Sequence, residues 1–572
     1  MNPRVLLKWD RSNSVPVAGV GKGKTFNLND GIQGYKLIWS HGFIINRDEL
    51  IKRHRLSQSL SDKDLIVRLY NQFGGGTAPM IHGPFTWVLW DNAQYTLVLV
   101  RDRIGIYGIY YAVTNCSVTI ADNVESLLDS NVCAGSFNTK SVIGHINGIA
   151  PLADETYYRG ISCVEPGTQI EISPYKLRKK RYWNFKTQPA LKLKTNAEYT
   201  NAYRHLLFDV VDDYLPNSPV AVTLSGGLDS TSIAAAARAG HPDRLLTAYS
   251  WISPGIPEDD ESQAIAMICE KLRLDCVRMD VGDMLAVKGN DWISTKRASP
   301  LSNIFTKLWT DLLTTIRGHD IAVVLSGISG DHLFSCGISS YPDLLLTGHW
   351  IELVRQLRAH RSGTKFSLTQ LVRNKLAVPL IRAYLPNWRY PHQPPVPWLA
   401  ETHHRAYKQC CPPPQRPMAI LPGRRHRLEL LKDPMLTTGC EIQTRHAAEH
   451  SIDLRHPLLD HRLFEFAASL PSSQAYYAGQ NKIIMRNAMR GYLPDYVVNF
   501  KDKVYPETIS KRMLLNHTSE VCSLTQNMRT ADLGLIDPVP LRKAVKSALA
   551  GNTVDWSFYN TLTLEDWLRR YF

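Results

Sequence analysis

The sequence predicts a two-domain protein, in which an α+β domain with antiparallel sheets precedes an α/β domain with a parallel sheet. Short alternating or fully apolar runs, separated by Gly, Asn and Asp, recur through residues 1–190 and are typical of antiparallel strands. From residue 196 onward, helical and strand-like segments alternate, which is typical of a parallel, doubly wound sheet. We therefore expect one domain at 1–190 and a second at 196–572.

Strands dominate the first predicted domain. Its helix is predicted at 62–73, where apolar residues follow a helical spacing. The basic run 176–181 is expected to form a solvated surface hairpin or linker at the end of the domain. The predicted strands are 35–39, 85–90, 95–100, 109–113 and 117–121.

In the second predicted domain, strands and helices alternate along the chain. The Ala-rich helix 231–239 is expected to close at Gly240, because glycine adopts the backbone conformation that commonly ends a helix. The remaining predicted elements are the helices 199–214 and 262–272 and the strands 220–224, 245–251 and 275–280.

A basic, proline-rich segment interrupts this alternation. Residues 351–430 contain 14 Lys or Arg and three acidic residues, and so account for most of the net charge of +14. Ten prolines fall within 384–422, which argues against a compact helix there. We expect an excursion over the surface at 384–422, mobile or ordered only by a substrate or partner.

The overall composition excludes several classes of protein. With 572 residues, 44% hydrophobic and 21% charged, the chain is large and apolar enough to form hydrophobic cores that need no disulfide or metal for stability. No apolar run approaches the 18 to 20 residues of a membrane span, and the start of the sequence lacks the features of a signal peptide, so we expect a cytoplasmic protein. The 10 Cys form no C-x-x-C pair, which argues against a zinc site or a disulfide framework.

The sharpest motif is L-S-G-G-L-D-S, between the predicted strand 220–224 and the next helix. Glycines let the backbone approach an anion, and the helix that follows directs free N–H groups toward it. The lysine of the common phosphate-binding loop is missing, which excludes that class of nucleotide site. Because a carboxylate would repel bare phosphate, Asp229 indicates a bridging Mg²⁺. The motif residues assigned to the nucleotide are Leu224, Ser225, Gly226, Gly227, Asp229 and Ser230.

This motif resembles the pyrophosphate loop of the N-type ATP pyrophosphatases, and the chain as a whole resembles the asparagine synthetase superfamily. Residues 323–334, V-V-L-S-G-I-S-G-D-H-L-F, are similar to the second nucleotide and metal motif of that superfamily. Residues 454–460, L-R-H-P-L-L-D, are similar to its R-x-P-[FL]-L-D element, and Lys482 and Arg486 follow. The resemblance covers roughly 500 residues in the order of the family, and implies an ATP pyrophosphatase fold for the second domain.

The resemblance also implies cofactors and site residues. ATP and Mg²⁺ are the implied cofactors, with Asp229 and Asp331 as metal ligands and Ser326 and Gly327 at the nucleotide. Lys503 falls where the family has a lysine that stabilises the adenylation and acyl-transfer transition states. Asp453 falls where the family has a glutamate associated with the acyl acceptor, and is one methylene shorter.

The first domain resembles the glutamine amidotransferase domain of the same superfamily, which implies an Ntn-type sandwich. The similar stretches are 83–91, G-P-F-T-W-V-L-W-D, and 101–111, R-D-R-I-G-I-Y-G-I-Y-Y. The amidase reaction requires an N-terminal Cys whose α-amine acts as the base. Position 2 is Asn and the first Cys is Cys116, so we expect a degenerate domain that releases no ammonia from glutamine.

A ligase of this kind must take an amine that its substrate already carries. Two branches of the superfamily do so, the β-lactam synthetases and the lasso peptide cyclases. The Tyr–Glu dyad of the β-lactam synthetases is replaced by Ile328 and Asp453. The S-G-I-x-G-D-H-L-F motif and the proline-rich insertion resemble those of the lasso peptide cyclases. The resemblance thus implies macrolactam formation in a lasso precursor, in which an Asp or Glu side chain is adenylated and the peptide α-amine attacks.

This assignment implies a set of partners and leaves alternatives open. The expected partners are the precursor core peptide, a leader peptidase and a leader-binding protein, with no nucleic acid. A β-lactam synthetase or another amide ligase of the superfamily remains the first alternative. A non-catalytic protein that binds nucleic acid or peptide through the basic segment is the second, although 351–430 contains no recognised nucleic-acid module.

Overall fold

The structure is a computed structural model, and it describes most of the chain. The described residues are 5–10, 17–20, 24–27, 35–133, 135–184, 189–258, 260–282, 293, 295–301, 305–335, 340–364, 366–384, 394–410, 421–499 and 507–572.

The N-terminal half forms two antiparallel sheets with helices at their margins. The strands are β1 Val5–Asp10, β2 Val17–Val20, β3 Lys24–Asn27, β4 Tyr35–Gly42, β5 Phe85–Asp91, β6 Thr96–Arg101, β7 Tyr110–Val113, β8 Ser117–Ala121, β9 Ser162–Cys163, β10 Thr168–Ile172 and β11 Leu177–Arg181. The helices are α1 Arg47–His54, α2 Asp62–Phe73, α3 Val124–Asp129 and α4 Thr139–Ile146, with single 3₁₀ turns at Gly74–Gly76 and Ala78–Met80. The predicted basic hairpin is the exposed edge strand β11.

The two sheets pack face to face. In the described residues their orders are β3-β2-β1-β8-β7-β9 and β11-β10-β6-β5-β4. Successive side chains of a strand point to opposite faces, and β5 shows the consequence. Trp90 packs between the sheets with Trp9, at 5.3 Å between ring centroids, whereas Trp87 packs against Tyr70 of α2 on the outer face. This arrangement confirms the predicted antiparallel sandwich.

The C-terminal half is built around one parallel sheet. Its strands are β12 Val220–Thr223, β13 Leu246–Ile252, β14 Asp275–Asp280, β15 Val323–Leu325 and β16 Asp453–Arg455, and a separate hairpin is formed by β17 Tyr476–Tyr477 and β18 Gln480–Asn481. Its first helices are α5 Asn196–Tyr214, α6 Leu228–Gly240, α7 Ser262–Leu272, α8 Thr306–Gly318, α9 Gly330–Phe334, α10 Ser340–Leu346, α11 Trp350–Ser362, α12 Leu368–Val372, α13 Val378–Tyr384 and α14 His404–Cys410. A π-helical turn, Arg373–Ala377, joins α12 to α13, and Glu401–His403 and Pro457–Leu459 are 3₁₀ turns.

Further helices follow in this half, and some of them contact the N-terminal domain. They are α15 Pro422–Leu430, α16 Pro434–Glu449, α17 His461–Ser469, α18 Ser472–Ala475, α19 Ile483–Met489, α20 Asp495–Asn499, α21 Glu507–Asn516, α22 Thr518–Leu524, α23 Arg529–Asp532, α24 Pro538–Leu549 and α25 Trp556–Tyr571.

The strand order of the parallel sheet locates a crevice. The order in the described residues is β14-β13-β12-β15-β16, with every neighbouring pair parallel. The chain moves from β12 outward to β14, and then returns to the other side of β12 to form β15. In open α/β sheets, ligands bind at the carboxyl ends of the strands where the order reverses in this way. Here that point lies between β12 and β15.

A helix forms in the middle of the proline-rich segment, so the expectation that no compact helix occurs there is wrong. Residues 404–410 form α14, with Tyr407 and Cys410 buried. The indole Nε1 of Trp398 donates to Thr561 Oγ1 at 2.9 Å, and the backbone N–H of Val396 donates to Asn147 Oδ1 at 2.9 Å. The prolines are confined to either side of α14, so its seven residues keep their backbone donors. Residues 385–393 and 411–420 of the predicted excursion lie outside the described part of the chain.

The two halves share buried contacts. Arg101 of β6 is fully buried and donates to Glu441 Oε2 of α16 at 2.7 Å, and Tyr110 donates to the same carboxylate. Elsewhere, α4 packs against α25, and His145 Nε2 lies 3.2 Å from Thr563 Oγ1. A buried charge pair is costly to break because it leaves one charge without a partner, so Arg101 and Glu441 hold the two halves in a fixed relation.

Among the described residues, no helix combines the length and the apolar character needed to cross a bilayer.

Candidate active site

Two loops meet at the carboxyl ends of β12 and β15. Val222 pairs with Leu325, so the loops that follow the two strands start at the same edge of the sheet. Leu224 is buried and donates its N–H to Tyr249 O of β13 at 2.8 Å, which extends the sheet to the start of the first loop. The predicted nucleotide residues of both motifs therefore lie next to each other.

The first loop is held by its two serines. Ser230 Oγ accepts the N–H of Ser225 at 3.1 Å and lies 3.0 Å from Ser225 Oγ, which accepts the N–H of Gly227 at 3.2 Å. Helix α6 begins directly after Gly227, and no side chain caps it in the described residues. The first N–H groups of a helix have no partner within it. The start of α6 thus presents backbone donors and a positive helix end beside the loop.

A carboxylate marks one position where the loop accepts an anion. Glu261, just before α7, accepts the N–H of Gly226 at 3.0 Å through Oε2. The loop amide thus binds an anionic oxygen in this structure. The residues at the loop therefore fit a phosphate group.

Two glycines let the second loop lie directly on the first. A Cβ added to Gly327 would lie 2.3 Å from the backbone N of Ser230, and one added to Gly330 would lie 2.2 Å from Cγ of Asp229. Real Cβ atoms do not approach other atoms so closely, so both positions require glycine. The G-I-S-G spacing of the second motif therefore serves to bring Asp331 beside Asp229.

The two predicted metal ligands converge on one cation. Lys482 Nζ lies 2.8 and 2.7 Å from the two carboxylate oxygens of Asp229 and 2.8 Å from Asp331 Oδ1. Lys482 is buried and its backbone is left-handed, with φ +60°, at the residue before α19. Its ammonium group occupies the position of positive charge between the carboxylates.

This arrangement fits Mg²⁺. Mg²⁺ is commonly bound by one or two carboxylates together with substrate phosphates and water. The described residues contain no cluster of three or more His, Cys, Asp or Glu side chains that would form an all-protein cage. Asp229 and Asp331 would hold the ion, with phosphate oxygens from the neighbouring loop as further ligands.

A buried histidine supports the second loop. Ser326 Oγ lies 2.6 Å from Nδ1 of His456, and Nε2 of the same ring lies 3.0 Å from Thr444 Oγ1 of α16. Burial lowers the pKa of His456 from 6.5 to about 4, so the imidazole is neutral and offers one donor and one acceptor to its two hydroxyl partners. His456 therefore fixes the side chain of Ser326.

Asp453 lies apart from the carboxylate pair. It pairs with Val323 at the amino end of β15, two residues before Leu325. Its Oδ2 accepts Arg455 Nε at 2.7 Å, and Tyr107 OH of the N-terminal domain donates to Oδ1 at 3.4 Å. Burial raises the pKa of Tyr107 well above its usual value, and the negative charge of Asp453 adds to this rise. Asp453 thus belongs to the contact between the domains. Lys503 lies outside the described residues.

Sequence reasoning missed the contacts of Lys482, His456 and Glu261. Lys482 and His456 belong to elements that resemble the family, but nothing in the sequence assigned them partners. Glu261 lies in an acidic stretch that is equally compatible with a helix cap. In all three cases the partner comes from another element of the fold, and residue spacing does not report it.

A cavity of about 490 Å³ lies between the two halves. The N-terminal domain contributes Arg101, Tyr110 and Trp183 to its wall, and α16 contributes Thr437 and Glu441. Cys440, the residue before Glu441, contacts Ser329 of the second loop at 4.0 Å between sulfur and oxygen. Helix α16 therefore has one side at the cavity and the other at the nucleotide motif.

Comparison with known families gives matches over both halves. The family model for asparagine synthase matches residues 202–569, and the model for a glutamine amidotransferase domain matches residues 37–183.

Individual relatives share about a quarter to a third of their residues with this chain over the aligned regions. An asparagine synthetase (glutamine-hydrolyzing) 3 of Bacillus subtilis is 24% identical over 520 residues, which cover 86% of this chain and 77% of the relative. The amidase chry2 of Gibberella zeae is 30% identical over 182 residues, and the match spans 30% of this chain and only about a quarter, 26%, of the amidase. A solved glutamine phosphoribosylpyrophosphate amidotransferase of B. subtilis aligns at 12% identity over 56% of this chain and 63% of that chain, with a TM-score of 0.20, too low to bear on this fold.

Proposed function

This chain belongs to the asparagine synthase family of ATP-dependent amide ligases, and from that premise we propose that it closes the macrolactam ring of a lasso peptide. The reaction would join the α-amine of a precursor peptide to an Asp or Glu side chain of the same peptide. The observation that carries the proposal is the convergence of Asp229 and Asp331 beside the glycine-rich loop, in a chain where Ile328 and Asp453 stand at the positions of the β-lactam dyad.

The first step would activate the peptide carboxylate. One carboxylate oxygen attacks the α-phosphorus of ATP, and the bond to the β-phosphate oxygen breaks, so that an acyl-adenylate and pyrophosphate form. The amides of the Ser225–Ser230 loop would hold the phosphates. Mg²⁺, when bound by Asp229 and Asp331, supplies positive charge that offsets the charge on the departing pyrophosphate.

The second step would form the amide. The neutral α-amine attacks the acyl carbon, AMP leaves with the oxygen that bound it, and the amine proton passes to solvent. An α-amine has a pKa of about 7.7 to 8.0, so a useful fraction is neutral near pH 7. Holding amine and acyl carbon together supplies much of the acceleration through effective molarity, and Lys503 would stabilise the oxyanion.

The residues at the positions of the β-lactam dyad favour the macrolactam branch. Ile328 is packed against the core in place of the tyrosine, and Asp453 is engaged with Arg455 in place of the glutamate. Neither is poised as a general base. An α-amine needs less basic assistance than a weaker nucleophile, which is consistent with a peptide substrate.

The cavity between the domains would accept part of the core peptide. Its volume of about 490 Å³ falls within the range of ligand sites, and α16 connects its wall to the second loop. The core peptide would enter from this side. A leader peptidase and a leader-binding protein are the proposed partners that deliver it.

The test uses the purified full chain, Mg²⁺, ATP and a candidate precursor peptide chosen from the coding sequences that neighbour that of this chain. We expect pyrophosphate exchange that depends on the peptide, AMP as product, and a peptide lighter by one water. An α-acetylated peptide should still support exchange but should not cyclise, whereas a peptide with Asn or Gln at the acceptor should support neither. Formation of ADP would contradict the proposal.

Three other outcomes would redirect the assignment. Exchange driven by a small β-amino acid instead of a peptide would favour a β-lactam synthetase. Release of glutamate from glutamine by the protein would show that its N-terminal domain is an amidase after all. A protein that binds peptide or nucleic acid but never cleaves ATP would be a binding protein.

A further inference from the structure

Helix α11 carries apolar side chains on its solvent side. Trp350 is 65% exposed and Ile351 is 82% exposed, and Val354 and Leu346 are close to half exposed. Trp350 Nε1 donates to Leu345 O at 3.3 Å, so the ring lies beside the end of α10. Single exposed apolar residues are common on soluble proteins, but a group of neighbouring ones marks an interaction surface.

The opposite side of α11 is already packed. Leu353, Gln356, Leu357 and His360 are buried, and the two leucines join Tyr341 and Leu371 in a core. With 3.6 residues per turn, Trp350, Val354 and Ile351 fall on the other side of the helix, together with Arg358 and Arg361. The side of α11 that packs in the core is therefore already buried, and the exposed apolar residues form a second, separate apolar side of the helix.

Basic residues accompany the apolar ones. Arg355, Arg358 and Arg361 are exposed on the last turns of α11. Between residues 344 and 384 the sequence has seven Lys or Arg and a single acidic residue, Glu352, which pairs with Arg355 at 2.9 Å. The surface thus combines projecting Trp and Ile side chains with a strong positive charge.

We propose that this surface, formed by Leu346, Trp350, Ile351, Val354, Arg355, Arg358 and Arg361, docks on an anionic lipid bilayer. Interfacial helices place Trp and aliphatic side chains at the boundary between headgroups and acyl chains, and Lys or Arg near anionic lipid phosphates. In this geometry α11 lies along the bilayer surface. The first turns insert Trp350 and Ile351, and the later turns place the arginines at the headgroups.

The shape of the surface favours a bilayer over a peptide or protein segment. In a groove that binds a peptide, the apolar side chains of the groove are partly buried between its two walls. Here the most apolar residues are the most exposed, at the start of α11 after His349. Such strongly exposed apolar side chains suit insertion into a fluid interface.

The experiment sediments the full chain with vesicles of phosphatidylcholine alone or mixed in equal parts with phosphatidylglycerol. We expect binding to the mixed vesicles only, weakened by added salt. Arg355→Glu with Arg358→Glu should weaken binding at least 20-fold, since each cation near an anionic surface contributes roughly fivefold. Trp350→Ser with Ile351→Ser should abolish it.

Matched controls separate a site from a general effect of charge. Arg178→Glu with Lys180→Glu on the exposed strand β11 makes the same change in net charge, and Trp556→Ser removes another exposed indole on α25. Both controls should bind as the unaltered protein does, and all variants should keep the same circular dichroism. Lack of binding to mixed vesicles, or equal loss in both charge pairs, would overturn the proposal. A concentration-dependent dimer that Trp350→Ser with Ile351→Ser abolishes would instead assign the surface to a second copy of the chain.

Discussion

The ammonium group of Lys482 lies 2.7 Å from Oδ2 of Asp229. A side-chain cation thus stands beside the carboxylate that the family assigns to Mg²⁺, and it also reaches Asp331. The carboxyl pair would otherwise carry two like charges in close proximity, which is unfavourable. Lys482 balances this charge in the protein without nucleotide.

The first prediction concerns this lysine. Lys482→Met should lower the free energy of unfolding in EDTA by roughly 1 to 3 kcal/mol, because it leaves two carboxylates without their shared donor. Mg²⁺ with ATP should recover part of the loss. Urea unfolding measures both effects. Lys271→Met on the exposed side of α7 is the control, and equal midpoints for the two variants would contradict the role of Lys482.

The proposed metal ligands, Asp229 and Asp331, give a second prediction. Asp229→Asn and Asp331→Asn should each abolish pyrophosphate exchange, since an amide keeps the shape of the side chain but not its charge. Asp209→Asn, on the exposed side of α5, should exchange at the normal rate. If either ligand variant kept near-normal exchange with Mg²⁺, its assignment to the metal would be wrong.

Contact between the two loops is tested by Gly330→Ala. The new methyl group would collide with the carboxylate of Asp229, so we expect a severe loss of exchange activity and a reduced melting temperature. Gly439→Ala on α16 meets no atom within 4 Å and should raise the free energy of unfolding slightly, by about 0.5 to 1 kcal/mol. An active Gly330→Ala protein would show that the loops do not lie as described.

Lys503 is tested against its neighbour Lys501. Lys503→Met should reduce turnover by about 10² to 10³ while ATP binding changes little, because its charge matters mainly in the transition state. Lys501→Met should have a much milder effect. The reverse result would mean that the alignment of this segment with the family is displaced by two residues.

The pH dependence of stability reports on His456. Its pKa is 6.5 in the unfolded chain and about 4 in the folded protein, so only the unfolded state takes up a proton between these values. The free energy of unfolding should therefore fall as the pH drops from 6.5 to 4, by up to about 1.4 kcal/mol per pH unit for this group. His456→Asn should show a shallower slope in urea titrations across that range. An unchanged slope would contradict the buried, neutral state of His456.

Local pattern predicted much of the fold. Helices α2 and α7 and strands β8 and β14 occur at their predicted bounds, because their apolar periodicity and their ends are encoded in adjacent residues. Helix α14 was missed, since the prolines around it outweighed a weak local pattern and its stability comes from burial of Tyr407 and Cys410. Tertiary packing decided that segment.

In the candidate site, too, local features were predicted from the sequence and contacts between distant elements were not. Glycine and aspartate motifs predicted the two loops, because a strand followed by a glycine-rich turn is a local feature. The contact of Lys482 with Asp229 spans 253 residues of sequence. The partners of Asp453 come from β16 and from the other domain. Such contacts follow from the folded topology and have no signature in spacing.

The packing of α4 against α25 has a consequence for synthesis on the ribosome. His145 and Thr563 are 418 residues apart, an interval that translation at roughly 5 to 20 residues per second covers in about 20 to 80 s. During that time the apolar side of α4, with Val142, Ile143 and Ile146, lacks its α25 partner. The nascent N-terminal domain therefore exposes this apolar side until α25 has emerged, and its packing is completed only after the C-terminal half has been synthesised.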